Sequence, residues 1–298
     1  MPGTNDQSRV CTVGQGPDAV TIARGRPLAI IAGPCMFETL ELGLKVGETL
    51  RTICNDLSLP FIFKASFDKA NRSSVASARG PGMEEGLEWM AIAKEKLGVP
   101  VTTDLHEAGQ AEAVAGVVDM LQIPAFLCRQ TDLLVAAGEA AASRGRAVSV
   151  KKGQFLSPRE MAGPVRKLAE AGCENVMLIE RGTFFGYHRL VNDFTGLGDL
   201  MELDCSKFSG QFGGAASPPV CFDVTHSTQL PGSSEQTGGR PDRAPLLANA
   251  ATAAGVQALF IEAHPDPAKA MSDGATQLPL EQIRGVLERV ARIREVLE

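Results

Sequence analysis

Short apolar runs alternate with longer stretches of helical periodicity along nearly the whole chain. The runs Leu28–Pro34, Pro60–Ala65, Val99–Leu105, Met120–Ala125, Ala147–Val150, Asn175–Ile179, Pro219–Val224 and Ala258–Glu262 are close to continuously apolar. A strand with one wet face alternates between apolar and polar, whereas a strand covered on both faces does not. These eight runs therefore predict parallel strands buried on both sides. Between them the pattern predicts helices at 38–57, 82–97, 107–116, 131–142, 158–171, 244–255 and 279–297, several opened by Asp, Thr or Ser and closed by Gly. Helical periodicity fades after the sixth strand, where a further helix is expected around 189–203.

Eight strand–helix units in 298 residues predict an α/β chain folded as one (β/α)8 barrel, the TIM-barrel architecture, over residues 26–298. An open doubly wound sheet is disfavoured because Ala32-Gly33-Pro34-Cys35 stands where a dinucleotide-binding Gly-x-Gly-x-x-Gly would follow the first strand. Residues 1–25 are an N-terminal extension and 204–218 a long loop, both expected on the surface. Leu230–Pro241 follows the seventh strand and is expected to form a flap over a site.

Composition narrows the function. The 29 basic and 35 acidic side chains give a net charge of −6, and with one Trp, one Tyr and no basic block they argue against a nucleic-acid surface. No apolar run approaches the roughly 20 residues of a membrane helix, and Met1–Asp6 lacks the start of a secretory signal, so no membrane association and a cytoplasmic location are expected. Seven cysteines at 11, 35, 54, 128, 173, 205 and 221, without a Cys-x-x-Cys pair, read as reduced thiols.

In such a barrel the working face is the C-terminal end of the strands. Lys64, Arg129, Lys151, Lys152 and Arg181 fall there, with Lys69 and Arg72 in the loop after the second strand. Seven cations on one rim of an acidic chain describe an anion-binding mouth, with Arg and Lys suited to phosphate and carboxylate. Singly, each reads equally well as a strand-end side chain reaching solvent. Closure of the barrel also makes strands seven, eight and one neighbours, so that Cys35, His226, Glu262 and Asp273 can converge. A thiolate, an imidazole and two carboxylates suit Zn, Fe or Mn, although Cys35 alone reads as a small buried hydrophobe and Asp273 before Gly274 as a turn residue. The Gly-free stretch Lys64–Ser74 combines cations and hydroxyls unlike a nucleotide-binding P-loop.

Several of these stretches, in order, resemble the 3-deoxy-D-manno-octulosonate 8-phosphate synthase family. They are Ile31-Ala32-Gly33-Pro34-Cys35, Lys64–Ser74, Thr103-Asp104-Leu105-His106-Glu107, the run Gln122–Asp132, Val150-Lys151-Lys152-Gly153-Gln154-Phe155, Glu180-Arg181-Gly182-Thr183, Phe222-Asp223-Val224-Thr225-His226 and Phe260–Pro265. The resemblance implies condensation of phosphoenolpyruvate with D-arabinose 5-phosphate in a homotetrameric barrel that supplies the Kdo sugar of lipopolysaccharide. It implies Lys64, Ser66, Lys69, Gln122, Ala125, Lys151 and Arg181 for phosphoenolpyruvate. For arabinose 5-phosphate it implies Asn71, Arg72 and Ser73, with Arg129 from a neighbouring subunit. His226, Asp104 and Lys151 are candidates for proton transfer. Cys35, with Gly153 and Ser272, is similar to the metal-dependent branch, which implies a divalent ion on Cys35, His226, Glu262 and Asp273. The nearest alternative is the related synthase using erythrose 4-phosphate, which typically carries Lys-Pro-Arg-Thr where this chain has Lys69-Ala70-Asn71-Arg72-Ser73-Ser74. A non-catalytic sugar-phosphate-binding barrel is the alternative of a different class.

Overall fold

The computed structural model describes residues 10–70, 78–205, 217–231 and 238–297. Eight parallel strands form the barrel: β1 (Ala29–Gly33), β2 (Phe61–Lys64), β3 (Val101–Asp104), β4 (Met120–Ile123), β5 (Ala147–Lys151), β6 (Val176–Glu180), β7 (Val220–Asp223) and β8 (Ala258–His264). Each pairs with the next, and β8 closes the ring by pairing β7 on one side, with Cys221 beside Ala258, and β1 on the other, with Ala258 beside Ala29. All eight are buried along their length, as their apolar composition predicts.

Eight helices wrap the ring: α1 (Leu40–Asp56), α2 (Met83–Leu97), α3 (Ala111–Val117), α4 (Thr131–Arg144), α5 (Ala162–Glu170), α6 (Phe194–Met201), α7 (Ala244–Ala254) and α8 (Ile283–Leu297). Their ends follow local chemistry. Thr39 caps α1 by accepting from the Leu42 amide at 3.1 Å, and Gly98, Gly145 and Gly255 end α2, α4 and α7 in the left-handed region. Among the described residues no helix is long and apolar enough to cross a membrane.

Two regions depart from the sequence reading. The segment expected to be a surface extension contains an antiparallel hairpin, Cys11–Val13 with Val20–Ile22, which buries Cys11, Val13, Val20 and Ile22 against Ile31, Ile62, Met120 and Met177. It closes the floor of the barrel; its strands of three residues are too short for alternation to register. The helix expected around 189–203 is shorter, because Thr183–Gly186 and Arg189–Val191 form a second hairpin and α6 starts only after Asp193, whose side chain accepts from the Gly196 amide. Phe185, Tyr187 and His188 hold positive φ in that hairpin, and Phe185 and Tyr187 stand almost fully exposed. Of the two loops singled out in the sequence, residues 206–216 and 232–237 lie outside the described residues.

Candidate functional site

Strand parity places the site. Inward side chains low in the barrel are Ile62, Met120, Ile179, Cys221 and Phe260. Two residues on, on the same face, come Lys64, Gln122, Arg181, Asp223 and Glu262. With Lys69, Asp104, Lys151 and His226, most of these line a cavity of about 1060 Å³ open at the C-terminal ends of the strands. Gly33 permits the tight closure beneath it: a Cβ there would lie 1.8 Å from the Lys64 carbonyl oxygen.

The cations of the mouth meet carboxylates in the structure. Lys64 Nζ donates to Glu262 Oε1 at 2.6 Å and to the Cys35 carbonyl at 2.8 Å. Lys151 Nζ donates to Asp223 Oδ2 at 2.7 Å and sits 3.9 Å above the centroid of the Phe260 ring. Lys69 Nζ donates to Ser66 Oγ at 2.9 Å, and Ser66 Oγ in turn donates to Asp104. Burial alone would push these carboxyls up; the Lys64 ammonium for Glu262, His226 and Lys151 for Asp223, and Lys69 with His106 for Asp104 outweigh it and hold all three well below the usual range. Arg181 donates to Gln229 Oε1 at 2.5 Å and to the His226 carbonyl at 3.3 Å, yet its buried Nη1 has no hydrogen-bond partner among the described residues. A permanently charged guanidinium with a free buried nitrogen is a place for an anion.

Of the four possible metal ligands three converge, and His226 stands beside Glu262 outside that group. Ligand atoms of Cys35, Glu262 and Asp273 all lie within 4.8 Å of one another. Cys35 Sγ is 3.2 Å from Asp273 Oδ2, and His226 Nε2 is 3.7 Å from Glu262 Oε2. The opposite ring nitrogen, His226 Nδ1, lies 2.8 Å from Asp223 Oδ2, a carboxylate–imidazole contact that fixes the ring and turns Nε2 toward Glu262. Among the described residues Glu262 Oε2 is buried without a hydrogen-bond partner, which suits a ligand oxygen for a cation. Burial, reinforced by the Glu262 carboxylate, pushes the Cys35 thiol well above its ordinary value, so metal-free Cys35 is a thiol and a bound cation would replace its proton. Gln277 ties the two loops of the site together, accepting from the Cys35 amide at 3.2 Å and donating to the Ser272 carbonyl at 2.8 Å. The residues present fit a divalent ion of the Zn, Fe or Mn type.

Not every residue singled out in the sequence is in the mouth. Lys152, adjacent to Lys151, points to the opposite face of β5, where its Nζ reaches the Leu156 carbonyl at 3.2 Å and Glu180 at 3.5 Å; it is a buried structural cation and not a rim group. Arg129 is exposed and absent from the cavity wall. Ala125 lines the cavity, whereas Asn71, Arg72 and Ser73 lie outside the described residues. Asp223, which orients both Lys151 and His226, carried no role in the sequence reading. Its signal was present: a single carboxylate interrupting the apolar strand Val220-Cys221-Phe222-Asp223 is too costly to bury without a task.

The chain is similar to known proteins over almost its whole length. The DAHP synthetase I family matches residues 5–298. Among curated relatives, the 2-dehydro-3-deoxyphosphooctonate aldolase of Cyanothece sp. is 47% identical over 282 residues, covering 94% of this chain and 97% of that protein. The protein of the same name from Synechococcus sp. is 47% identical over 281 residues, 94% of this chain and 93% of its own. That of Granulibacter bethesdensis is 46% identical over 289 residues, 97% and 95% respectively.

Proposed function

Since the chain belongs to the DAHP synthetase I family, we propose that it condenses phosphoenolpyruvate with D-arabinose 5-phosphate and water, giving 3-deoxy-D-manno-octulosonate 8-phosphate and inorganic phosphate, a step toward the Kdo of lipopolysaccharide. The observation that carries this reading is the buried Arg181 Nη1, without a hydrogen-bond partner among the described residues, in a cavity wall shared with Lys64, Lys69 and Lys151. The relatives at 46–47% identity are named for the eight-carbon product, which supports the five-carbon acceptor.

In this reading Lys64, Ser66, Lys69, Gln122, Ala125, Lys151 and Arg181 hold the phosphate and carboxylate of phosphoenolpyruvate. Arabinose 5-phosphate is held by Asn71, Arg72 and Ser73, with Arg129 supplied by a neighbouring subunit of a homotetramer. The exposure of Arg129 away from its own cavity, with Phe126 exposed at the mouth and Phe185 and Tyr187 exposed on the hairpin after β6, supports that assembly. Carbon 3 of phosphoenolpyruvate attacks the aldehyde carbon, carbon 2 takes up water, and the C–O bond to phosphorus-bearing oxygen breaks to release phosphate. His226, Asp104 and Lys151 serve the two proton movements this requires, one onto the aldehyde oxygen and one off the attacking water. Asp223 holds His226 and Lys151 at fixed orientation for that purpose. Cys35, His226, Glu262 and Asp273 would hold a divalent ion, Zn, Fe or Mn, which when bound supplies Lewis-acid polarisation. The seven free cysteines support a cytoplasmic location.

Phosphate release from phosphoenolpyruvate tests the reading, with arabinose 5-phosphate or erythrose 4-phosphate as acceptor and with or without a chelator. Turnover with the pentose phosphate, lost to chelator and restored by a divalent ion, is the expected result. Turnover with erythrose 4-phosphate would move the chain to the other activity known among such synthases, and resistance to chelator would remove the metal.

A further inference from the structure

Polar groups in the cavity wall are almost all paired with one another. Among the described residues, the buried wall atoms without a partner are His106 Nδ1, Gln154 Oε1, Arg181 Nη1 and Glu262 Oε2. Arg181 and Glu262 answer to an anion and a cation, and His106 is already held through Nε2 by Asp104 at 3.1 Å. Gln154 is different: it is neutral, 4% exposed, and its buried Oε1 has no hydrogen-bond partner among the described residues. An unpaired buried amide is costly, so something that enters the cavity is expected to satisfy it.

The turn carrying Gln154 is rigidly placed. The Leu156 amide donates to the Gly153 carbonyl at 3.0 Å, and the Phe184 amide donates to the Gln154 carbonyl at 2.9 Å. Lys152 Nζ fastens the turn from behind through the Leu156 carbonyl and Thr183 Oγ1. Gly153 lies so close to Cys128 and Phe155 that a Cβ would fall 3.1 Å from the Cys128 sulfur. The backbone is thus fixed on both sides while the side chain is left open to the cavity, the arrangement of a preorganised recognition group.

The unpaired atom is an acceptor, and that selects its ligand. Phosphoenolpyruvate at neutral pH presents phosphate and carboxylate oxygens, all acceptors, which a carbonyl oxygen repels. An aldose phosphate presents hydroxyl donors. We propose that Gln154 is a specificity-determining residue that accepts a hydrogen bond from a hydroxyl of the acceptor sugar. The proposal rests on the condensation put forward above; it adds a residue that reads the sugar itself, apart from the groups that hold its phosphate.

The test uses the full-length, metal-loaded enzyme and the near-isosteric variant Gln154→Met. The KM for arabinose 5-phosphate is expected to rise about tenfold while that for phosphoenolpyruvate stays within about twofold. The Tm of the ligand-free variant is expected to hold or rise, because an unpaired buried amide has been removed. With the 2-, 3- and 4-deoxy analogues of arabinose 5-phosphate, the penalty should vanish for the one that lacks the hydroxyl being read. A penalty falling on phosphoenolpyruvate, an equal penalty for every deoxy analogue, or a fall in Tm with both KM values unchanged would overturn the assignment. If the wild-type enzyme instead turns over only erythrose 4-phosphate, the condensation with the pentose phosphate fails, and the same comparison made with the tetrose decides for or against Gln154.

Discussion

At the floor of the barrel, Ile62, Met120, Ile179, Cys221 and Phe260 share one apolar cluster with the N-terminal hairpin, without a charged side chain among them. Two residues further along the same strands the mouth holds Lys64, Gln122, Arg181, Asp223 and Glu262. Both ends use the same pleat and nearly complete burial, yet one end is satisfied by packing alone and the other only by ion pairs and ligands. Buried charge pairs are poor investments for stability. Their concentration at one end therefore marks where the chain gives up stability for chemistry, and the unpaired atoms of Arg181, Glu262 and Gln154 all lie at that end.

Phe260 is the boundary between the two regions, with its ring beneath Lys151 and 5.3 Å from Lys64 Nζ. Its removal should do the most to erase the difference. Phe260→Ala is expected to lose about 3–5 kcal/mol in denaturant unfolding, through the cavity left and the lost support of both ammonium groups. A loss under about 1 kcal/mol would show that the charged layer stands without its apolar base.

Cys35→Ala sharpens the comparison from the mouth side. Elemental analysis is expected to find the divalent ion gone, and phosphate release should fall at least about a hundredfold. Unfolding of the metal-free proteins should differ by about 1 kcal/mol or less, since a small buried thiol packs little surface. Unchanged metal content would remove Cys35 from the ligand set.

The floor predicts the converse. Asn175 holds the hairpin through two bonds to Thr12, accepting from its amide at 2.8 Å and donating to its carbonyl at 2.7 Å. Asn175→Ala should cost about 1–2 kcal/mol in stability and leave kcat and both KM values within about twofold. A large loss of activity with little loss of stability would mean that the two ends are coupled.

The same contrast explains what could be read from sequence. Buried parallel strands are long apolar runs, so the barrel was legible, and strand ends such as Lys64 and Lys151 stand out as charges closing those runs. The floor hairpin was not, because Cys11–Val13 and Val20–Ile22 offer three residues each to a period of two. Lys152 was miscounted as a rim cation because composition ignores parity: neighbouring residues on a strand face opposite ways. The orphaned atoms of Gln154 and Glu262 are properties of packing in three dimensions, and no pattern along the chain expresses them.

The smallest expected effect lies at the edge of the mouth, where Arg79 Nε and Nη2 reach Asp68 at 2.8 and 2.5 Å while the Arg79 carbonyl accepts from the Lys69 amide at 2.8 Å. This clamp anchors Lys69, a cavity residue, from the solvent side, and Arg79 is mostly exposed, so the pair contributes modestly. Arg79→Ala should speed hydrogen exchange at the Lys69 amide about threefold at neutral pH, with Tm unchanged. The hydrogen bond from Arg79 holds the Asp68 carboxyl below the usual range. A depressed carboxyl contributes above its ordinary value and loses that contribution as pH falls through its folded-state value. The ratio of exchange rates between variant and wild type should therefore approach one as the solution is acidified below about pH 4, the ordinary aspartate value. A ratio that stays constant across that range would mean that the guanidinium acts on Lys69 without the carboxylate, and the rim of the mouth would then be held by packing, as the floor is.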